Sequence, residues 1–134
     1  MAKSKPNIQA GENFLAANKT RQGVTTTASG LQYEIMIQGT GPKPGLQDTV
    51  VCNYKGTFLN GNVFDDSYSR GMPAEFGLTG VIRGWTEVLQ LMPVGSKYKV
   101  YVPYQLGYGS SDYNGIPGGS LLIFEIELLS IKGK

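Results

Sequence analysis

Six aromatic residues on well-separated segments of this 134-residue chain are the side chains best suited to form a functional site. If the fold brings them together, they line a concave apolar pocket with a few polar groups at its rim. Such a pocket can bind an apolar ring, or catalyse a reaction in which no bond is broken. The six residues are Tyr54, Phe64, Phe76, Trp85, Tyr108 and Phe124.

Groups for acid–base and nucleophilic catalysis are scarce. The sequence has no histidine, which excludes His-based triads and His-ligated metals. Its single cysteine, Cys52, excludes an intramolecular disulfide and lies mid-strand, which indicates a buried, inert thiol. No Gly-x-Ser-x-Gly motif, phosphate loop or metal-ligand cluster occurs. A net charge of +2 is too small to predict a nucleic-acid-binding surface.

Asp65 is the carboxylate most closely associated with these aromatic residues, because it directly follows Phe64. A carboxylate next to aromatic rings needs hydrogen-bond donors, and we expect Tyr54 and Arg70 to supply them. The residues alone leave two interpretations open. Asp65 and Arg70 either form a pair that fixes a loop, or they belong to the rim of a site.

The segment Val81–Trp85 opens the only helix predicted inside the globular body. Residues at positions i, i+3, i+4 and i+7 give this helix one apolar face. The spacing alone allows Trp85 to be either the largest core residue or the floor of a pocket. The face consists of Trp85, Val88, Leu89 and Met92.

The rest of the globular body is predicted to be strands. Leu31–Gln38 alternates, with Leu31, Tyr33, Ile35 and Ile37 on its apolar face. Together with the helix, these strands predict the α+β class: a five- to six-stranded antiparallel sheet wrapped around one short helix. The other segments are Thr49–Phe58, Val63–Ser67, Ala74–Leu78, Lys97–Val102 and Ser120–Ile131, with a long Gly- and Tyr-rich loop at 103–119.

An N-terminal arm, residues 1–26, is predicted to precede the globular domain at residues 27–134. It carries a short helix from Ile8 to about Arg21, which needs a surface to pack against, and then a β-branched linker from Val24 to Gly30. No apolar run reaches the roughly 20 residues that cross a bilayer. The protein is expected to be cytoplasmic if the chain is complete, and periplasmic or cell-surface if a leader and a helical domain were removed.

Six short motifs occur along the chain in the order VCNYKG (51–56), VFDDS (63–67), PAEF (73–76), VIRGW (81–85), LGYG (106–109) and LLIFEI (121–126). In these motifs the chain resembles the FKBP-type peptidyl-prolyl cis–trans isomerases. Residues 11–33 resemble the bacterial branch that includes the macrophage infectivity potentiator, in which an upstream helical domain dimerises the protein. This chain has only the end of such a helix, so we expect a monomer.

The resemblance implies an isomerase of X–Pro bonds in peptides and folding proteins, with no cofactor, no metal and no membrane insertion, that binds tacrolimus- and rapamycin-type macrolides. It implies that the Ile82 backbone N–H and the Tyr108 hydroxyl hold substrate carbonyls. Asp65 either acts on the twisted carbonyl or keeps the pocket wall in place. The implied substrate-binding residues, with Trp85 as the floor, are Tyr54, Phe64, Phe76, Val81, Trp85, Ile116 and Phe124.

Three positions depart from the family pattern. Ala74 stands where the best-known human member has an aromatic residue, which thins one pocket wall. Tyr113 stands about where a histidine often lies, and Pro117-Gly118 replaces a frequent Pro-Pro. These departures keep an alternative open: a chaperone or interaction module that binds proline-containing segments and has weak isomerase activity.

Overall fold

The computed structural model describes residues 4–133; residues 1–3 and 134, at the outer ends of the two predicted domains, lie outside the described residues. Within this range the chain forms two α-helices and seven β-strands. The helices are α1 (Lys5–Asn18) and α2 (Arg83–Leu89). The strands are β1 (Val24–Thr26), β2 (Gln32–Ile37), β3 (Thr49–Thr57), β4 (Val63–Asp66), β5 (Ala74–Gly77), β6 (Lys97–Val102) and β7 (Leu122–Ile131).

The strands form one antiparallel sheet in the order β1-β2-β6-β7-β3-β4, and β5 also pairs with β3. β4 and β5 share one edge of β3: β5 pairs with its first half, Thr49–Cys52, and β4 with its second half, Lys55–Thr57. This arrangement confirms the predicted α+β class. It also places β4 and β5 side by side, so that side chains from both can reach one site.

The inner face of the sheet packs on α2. Trp85, Val88, Leu89 and Met92 are all buried, as their helical spacing predicts, although the helix ends at Leu89. On the sheet, alternate residues of β3 and β7 point to the same side, and Cys52 is buried among them. The single helix therefore fills the concave side of the sheet, and its first turn faces the edge formed by β4 and β5.

One strand, β1, was not predicted, because its residues were expected to form part of a linker. Val24–Thr26 pairs antiparallel with Gln32–Glu34 of β2. Its β-branched composition favours a strand, but three residues are too few to produce a recognisable alternation. The prediction of a linker at this position was wrong, and the sheet has seven strands where at most six were expected.

The alternation of buried and exposed residues predicted for β2 is not observed: Gln32, expected on the polar face, is buried, and exposure increases along the strand. Ile35 and Ile37, expected on the buried face, are 50% and 54% exposed. β1 ends its pairing at Glu34, and the register on β6 shifts between Ile35 and Ile37. The second half of β2 is therefore an open, irregular edge of the sheet, where apolar side chains remain in contact with solvent.

Helix α1 packs against the globular domain. Phe14 lies against Tyr101 with 5.6 Å between the ring centroids. The buried Asn18 donates from Nδ2 to Oε1 of Gln32 at 2.8 Å, and Gln32 donates from Nε2 to the Leu15 carbonyl at 3.0 Å. Because both amides are buried and paired, this contact is specific. The helix, expected from Ile8 to Arg21, begins and ends three residues earlier, at Lys5 and Asn18.

Neither helix in the part of the chain that the structure describes has the length and apolarity needed to span a bilayer.

Candidate active site

A cavity of about 380 Å³ opens where the start of α2 meets β3, β4, β5 and β7. The residues before α2, Gly80 to Ile82, form one side, and the tyrosine loop, which we define as residues 107–120, contributes the opposite rim. The aromatic residues singled out in the sequence all reach this cavity. The lining consists of Tyr54, Phe64, Asp65, Phe76, Gly80, Val81, Ile82, Trp85, Tyr108, Tyr113 and Phe124.

Trp85 lines the cavity and is 4% exposed. The rings of Tyr54, Phe76 and Phe124 meet it edge-on, with centroid distances of 5.1, 5.2 and 5.2 Å. Edge-to-face contacts at such distances are favourable beyond the area that they bury. The indole Nε1–H is buried and finds no hydrogen-bond acceptor among residues 4–133. The indole is therefore held by ring contacts from three different strands.

The wall beside β4 depends on a glycine. A Cβ atom at Gly56 would lie 2.7 Å from the Phe64 ring and 2.9 Å from the Phe124 ring. With no side chain at this position, Phe64 meets Phe124 edge-on at 5.6 Å and stacks on Phe58 at 4.8 Å. Gly56 thus gives the two phenylalanine rings the space that they occupy in the cavity wall.

Asp65, Tyr54 and Arg70 form a closed hydrogen-bonded triangle at the cavity edge. The Tyr54 hydroxyl donates to Asp65 Oδ2 at 2.6 Å, and Arg70 Nη1 donates to Asp65 Oδ1 at 2.8 Å. Arg70 Nη2 also donates to the Tyr54 hydroxyl at 3.0 Å. Both carboxylate oxygens are therefore engaged, and the donors are those expected from the sequence.

This triangle does not titrate near neutral pH. Burial alone raises the pKa of Asp65, but the hydrogen bonds from Tyr54 and Arg70 and the charge of Arg70 outweigh it and leave the pKa below its usual value. Burial and the bond to Asp65 raise the pKa of Tyr54 to about 12. Asp65 is consequently an ionised acceptor and Tyr54 a neutral donor, and neither exchanges protons as a general acid or base at neutral pH.

The tyrosine loop brings two stacked rings to the rim. Tyr108 and Tyr113 lie 4.9 Å apart with an interplanar angle of 10°. Tyr113 and Ile116 exchange both backbone hydrogen bonds, at 2.9 and 2.7 Å, which closes the tip of the loop. Ile116 packs against the core and does not line the cavity, unlike the other predicted site residues. Tyr113 lines the cavity instead. This could not be predicted from the sequence, because Tyr113 lies in a Gly-rich loop that has no periodic pattern.

Two donors at the rim have no acceptor within the described range. The Tyr108 hydroxyl makes no hydrogen bond there, and burial raises its pKa, so it is protonated at neutral pH. The N–H of Ile82, the residue that precedes α2, is likewise unpaired there. Unpaired N–H groups at a helix start are available to bind an acceptor. The cavity thus combines an apolar, aromatic lining with two neutral donors.

No group of three or more His, Cys, Asp or Glu residues in positions 4–133 is arranged to hold a metal ion. The carboxylate that lines the cavity, Asp65, has its two oxygens committed to Tyr54 and Arg70. The arrangement is suited to binding and distorting an apolar, carbonyl-bearing group.

Comparison with protein families gives two matches that together cover most of the chain. The family described as FKBP-type peptidyl-prolyl cis-trans isomerase matches residues 41–129. The domain amino-terminal to FKBP-type peptidyl-prolyl isomerase matches residues 1–35, which include α1, β1 and the start of β2.

Individual relatives agree with these matches. FkpA of Aeromonas hydrophila is 49% identical over 94% of this chain, and the outer membrane protein MIP of Legionella longbeachae is 48% identical over 97%. The alignments cover 47% and 56% of those two proteins, so the chain spans about half their length.

Solved structures give the same result. The crystal structure of FkpA from Escherichia coli matches with a TM-score of 0.93 and 43% identity, covering 96% of this chain and 61% of that one. A peptidyl-prolyl isomerase from Pseudomonas syringae pv. tomato matches with a TM-score of 0.89 and 35% identity, covering 96% of this chain and 95% of that one. The chain therefore belongs to the FKBP-type peptidyl-prolyl cis–trans isomerase family.

Proposed function

We propose that this protein catalyses cis–trans isomerisation of X–Pro bonds in peptides and folding proteins, and that the aromatic cavity over Trp85 is its active site. The observation that carries the proposal is the cavity itself: three rings meet Trp85 edge-on, and two unpaired neutral donors lie at the rim. Membership of the isomerase family supports the same reaction.

The reaction needs little beyond such a cavity. Rotation about a peptide bond has a barrier of about 18–20 kcal/mol, because twisting removes the amide resonance. The twisted amide is less polar across C–N than the planar one, so an apolar enclosure disfavours the planar ground state more than the twisted one. Trp85 serves as the floor under the proline ring, and Tyr54, Phe76, Val81 and Phe124 serve as walls.

The donors then fix the chain on either side of the rotating bond. The Ile82 N–H binds one substrate carbonyl and the Tyr108 hydroxyl another, so that rotation is confined to one end of the amide. Interactions that strengthen as the amide twists lower the barrier, whereas uniform binding does not. A reduction of about 7 kcal/mol corresponds to an acceleration of roughly 10⁵-fold.

Asp65 acts in this scheme without transferring a proton. Its carboxylate holds the Tyr54 hydroxyl and the Arg70 guanidinium, and it presents a fixed negative charge at the cavity edge. Because its oxygens are already bonded, it keeps the Tyr54 wall in place and sets the electrostatic potential that the twisted carbonyl meets.

The same cavity is proposed to bind tacrolimus- and rapamycin-type macrolides, which would place an apolar ring on Trp85 and carbonyl groups near Ile82 and Tyr108. A volume of about 380 Å³ lies within the usual range for small-molecule sites, roughly 300–1,000 Å³. Competition between a macrolide and a peptide would link the two proposals to one site.

The test is NMR exchange spectroscopy on short peptides containing a Leu-Pro or Phe-Pro bond, with and without rapamycin. Uncatalysed exchange takes tens to hundreds of seconds. We expect exchange fast enough to give cross-peaks at catalytic protein concentration, and we expect rapamycin to abolish it. Peptide resonances that shift on binding, without accelerated exchange, would instead favour the chaperone or interaction module. An active protein that rapamycin does not inhibit would refute only the macrolide proposal.

A further inference from the structure

Helix α1 is bonded directly to the base of the tyrosine loop. Asn7, in the first turn of α1, donates from Nδ2 to the carbonyl oxygen of Gly118 at 3.0 Å, across 111 residues of sequence. The contact is partly buried. It joins the N-terminal arm to the loop that carries two of the cavity's aromatic side chains.

The next residue of the loop touches the backbone of the arm. Gly119 has a φ of +79°, and a Cβ atom there would lie 2.7 Å from Ile8 Cγ1 and 2.8 Å from the Ser4 carbonyl oxygen. At such distances only glycine lets the loop lie against the first turn of α1. The arm and the loop base are thus in direct contact, with no intervening side chain on the loop.

The backbone N–H groups of the same two glycines bind the part of the tyrosine loop that lies nearest the cavity. Gly118 donates its N–H to Asp112 Oδ1 at 2.8 Å, and Gly119 donates its N–H to the Gly109 carbonyl at 2.9 Å. Gly109 adjoins Tyr108, and Asp112 adjoins Tyr113. A chain of direct contacts therefore leads from Asn7 through Gly118 and Gly119 to the residues beside both rim tyrosines.

We propose that Asn7 is a positioning residue: through Gly118 it fixes the tyrosine loop, and so places Tyr108 and Tyr113 at the cavity. This inference rests on the proposed function, since it gives α1 a part in the same reaction. A 14-residue loop with many glycines loses considerable conformational entropy when it is ordered. A fixed point on a docked helix reduces the fluctuations of the loop before substrate binds.

Two substitutions separate this role from helix stability. Asn7→Ala removes the donor to Gly118. Asn7→Asp also removes it, and it places a carboxylate opposite the Gly118 carbonyl, yet an acidic residue in the first turn favours the helix itself. Asn13→Ala is the matched control, because Asn13 lies on the exposed side of the same helix and only accepts a bond from Gln9. Helix content and the midpoint of thermal unfolding are monitored in all three variants.

The primary measurement is hydrogen exchange of the Tyr113 and Gly119 amides, which are bonded within the loop to Ile116 and Gly109. We expect both Asn7 variants to exchange at these amides roughly 3- to 10-fold faster than wild type, and Asn13→Ala to match wild type. The catalytic efficiency kcat/KM should fall about 2- to 5-fold in the same two variants. Because Asn7 acts through the loop, its effect on kcat/KM should be smaller when Tyr108→Phe is already present.

The outcomes distinguish the two proposals. Unchanged exchange in both Asn7 variants overturns the positioning role, whatever the activity. Faster loop exchange with unchanged kcat/KM in an active protein overturns it as well, because the contact would then have no consequence at the cavity. If the wild-type protein shows no isomerase activity, the proposed function fails, and the exchange rates alone still decide whether α1 fixes the loop.

Discussion

Helix α2 separates two depressions that differ in both size and chemistry. On one of its faces lies the aromatic cavity of about 380 Å³, and on another a groove of about 840 Å³, bounded by α1 and residues 103–106. Arg83, Thr86, Glu87 and Gln90 face the groove, whereas Ile82 and Trp85 face the cavity. The larger depression is therefore not the one to which the aromatic residues converge.

The difference lies in the side chains: aromatic residues from several elements converge on the smaller depression, which is why we propose the cavity rather than the groove as the active site. Tyr104 is the one aromatic residue among the described residues that line the groove. Among the described residues, none of its charged side chains, such as Glu12 and Glu87, takes part in an ion pair, whereas Asp65 and Arg70 pair at the edge of the cavity. The groove arises where α1 leaves a gap beside α2. The cavity is formed by rings from several strands that meet one indole.

Substitution of Trp85 is expected to have the largest effect and tests most directly whether the cavity, rather than the groove, is the active site. We expect Trp85→Ala to abolish isomerase activity and to lower the free energy of unfolding by about 3–5 kcal/mol, because it removes a buried ring that three others contact. Trp85→Phe keeps an aromatic floor and removes the unpaired Nε1–H, so it should fold and retain part of the activity. Gln90→Ala and Glu12→Ala, on the groove side, should leave activity at the wild-type level.

Denaturant unfolding and the exchange assay measure these effects together. A folded Trp85→Leu variant with undiminished macrolide affinity and turnover would show that the ring of residue 85 is not the floor. Loss of activity in the folded Gln90→Ala or Glu12→Ala variant would indicate that the groove, and not the cavity, is the active site.

The second test compares two ion pairs. Asp65→Ala should reduce kcat/KM by roughly 10- to 100-fold, since it releases Tyr54 and Arg70 from a charged partner at the cavity edge. Glu75, which pairs with Lys132 at 2.9 Å on the surface, is the matched control. Exposed pairs contribute little, so Glu75→Ala should change neither activity nor stability appreciably. Equal activity of the two folded variants would remove Asp65 from the mechanism.

The third test removes single hydroxyl groups. Tyr108→Phe keeps the ring and its stack on Tyr113 but deletes the rim donor, so we expect kcat/KM to fall roughly 3- to 10-fold with stability unchanged. Tyr104→Phe makes the same chemical change on the groove side and should be silent. Steady-state measurements with a Phe-Pro peptide suffice. If Tyr108→Phe is as active as Tyr104→Phe, the donor is not used.

The sequence predicts which residues line the cavity better than it predicts how they are arranged there. The helical spacing of Trp85 and Val88, and the alternation of β3, mark residues that the structure buries. These patterns are local, so they can be read from one chain. The family motifs supply what periodicity cannot, namely which aromatic residues on different strands share one site.

What escaped prediction depends on tertiary contacts. Ile35 and Ile37 alternate like buried residues, yet β1 stops pairing at Glu34 and leaves them exposed. Tyr113 lines the cavity because the loop tip folds back on Tyr108, and no local pattern records this. The bond between Asn7 and Gly118 joins residues that no spacing relates. The positions of loops and sheet edges depend on tertiary contacts with the rest of the fold, and these contacts cannot be inferred from local patterns in one sequence.

The smallest effect is expected from pH. The chain has no histidine, the pKa of Asp65 lies below its usual value and that of Tyr54 is raised to about 12, so neither Asp65 nor Tyr54 changes charge between about pH 5 and 9. We therefore expect kcat/KM to vary less than about 2-fold over this range. A bell-shaped profile centred near neutrality would mean that a proton is transferred, and would contradict shape-based catalysis.

Stability, in contrast, should depend on pH at both extremes. Because the folded-state pKa of Asp65 is depressed, its contribution is present above the unfolded pKa, about 3.9, and is lost as the pH falls through the folded value. Burial raises the pKa of the Cys52 thiol from 9.0 to about 12, so stability also declines as the pH rises above about 9. In Asp65→Asn the acid limb should flatten, while the part of the alkaline limb that comes from Cys52 stays. Denaturant titrations across the pH range would separate the two, and an acid limb unchanged by Asp65→Asn would show that the triangle at the cavity edge does not hold this carboxylate ionised.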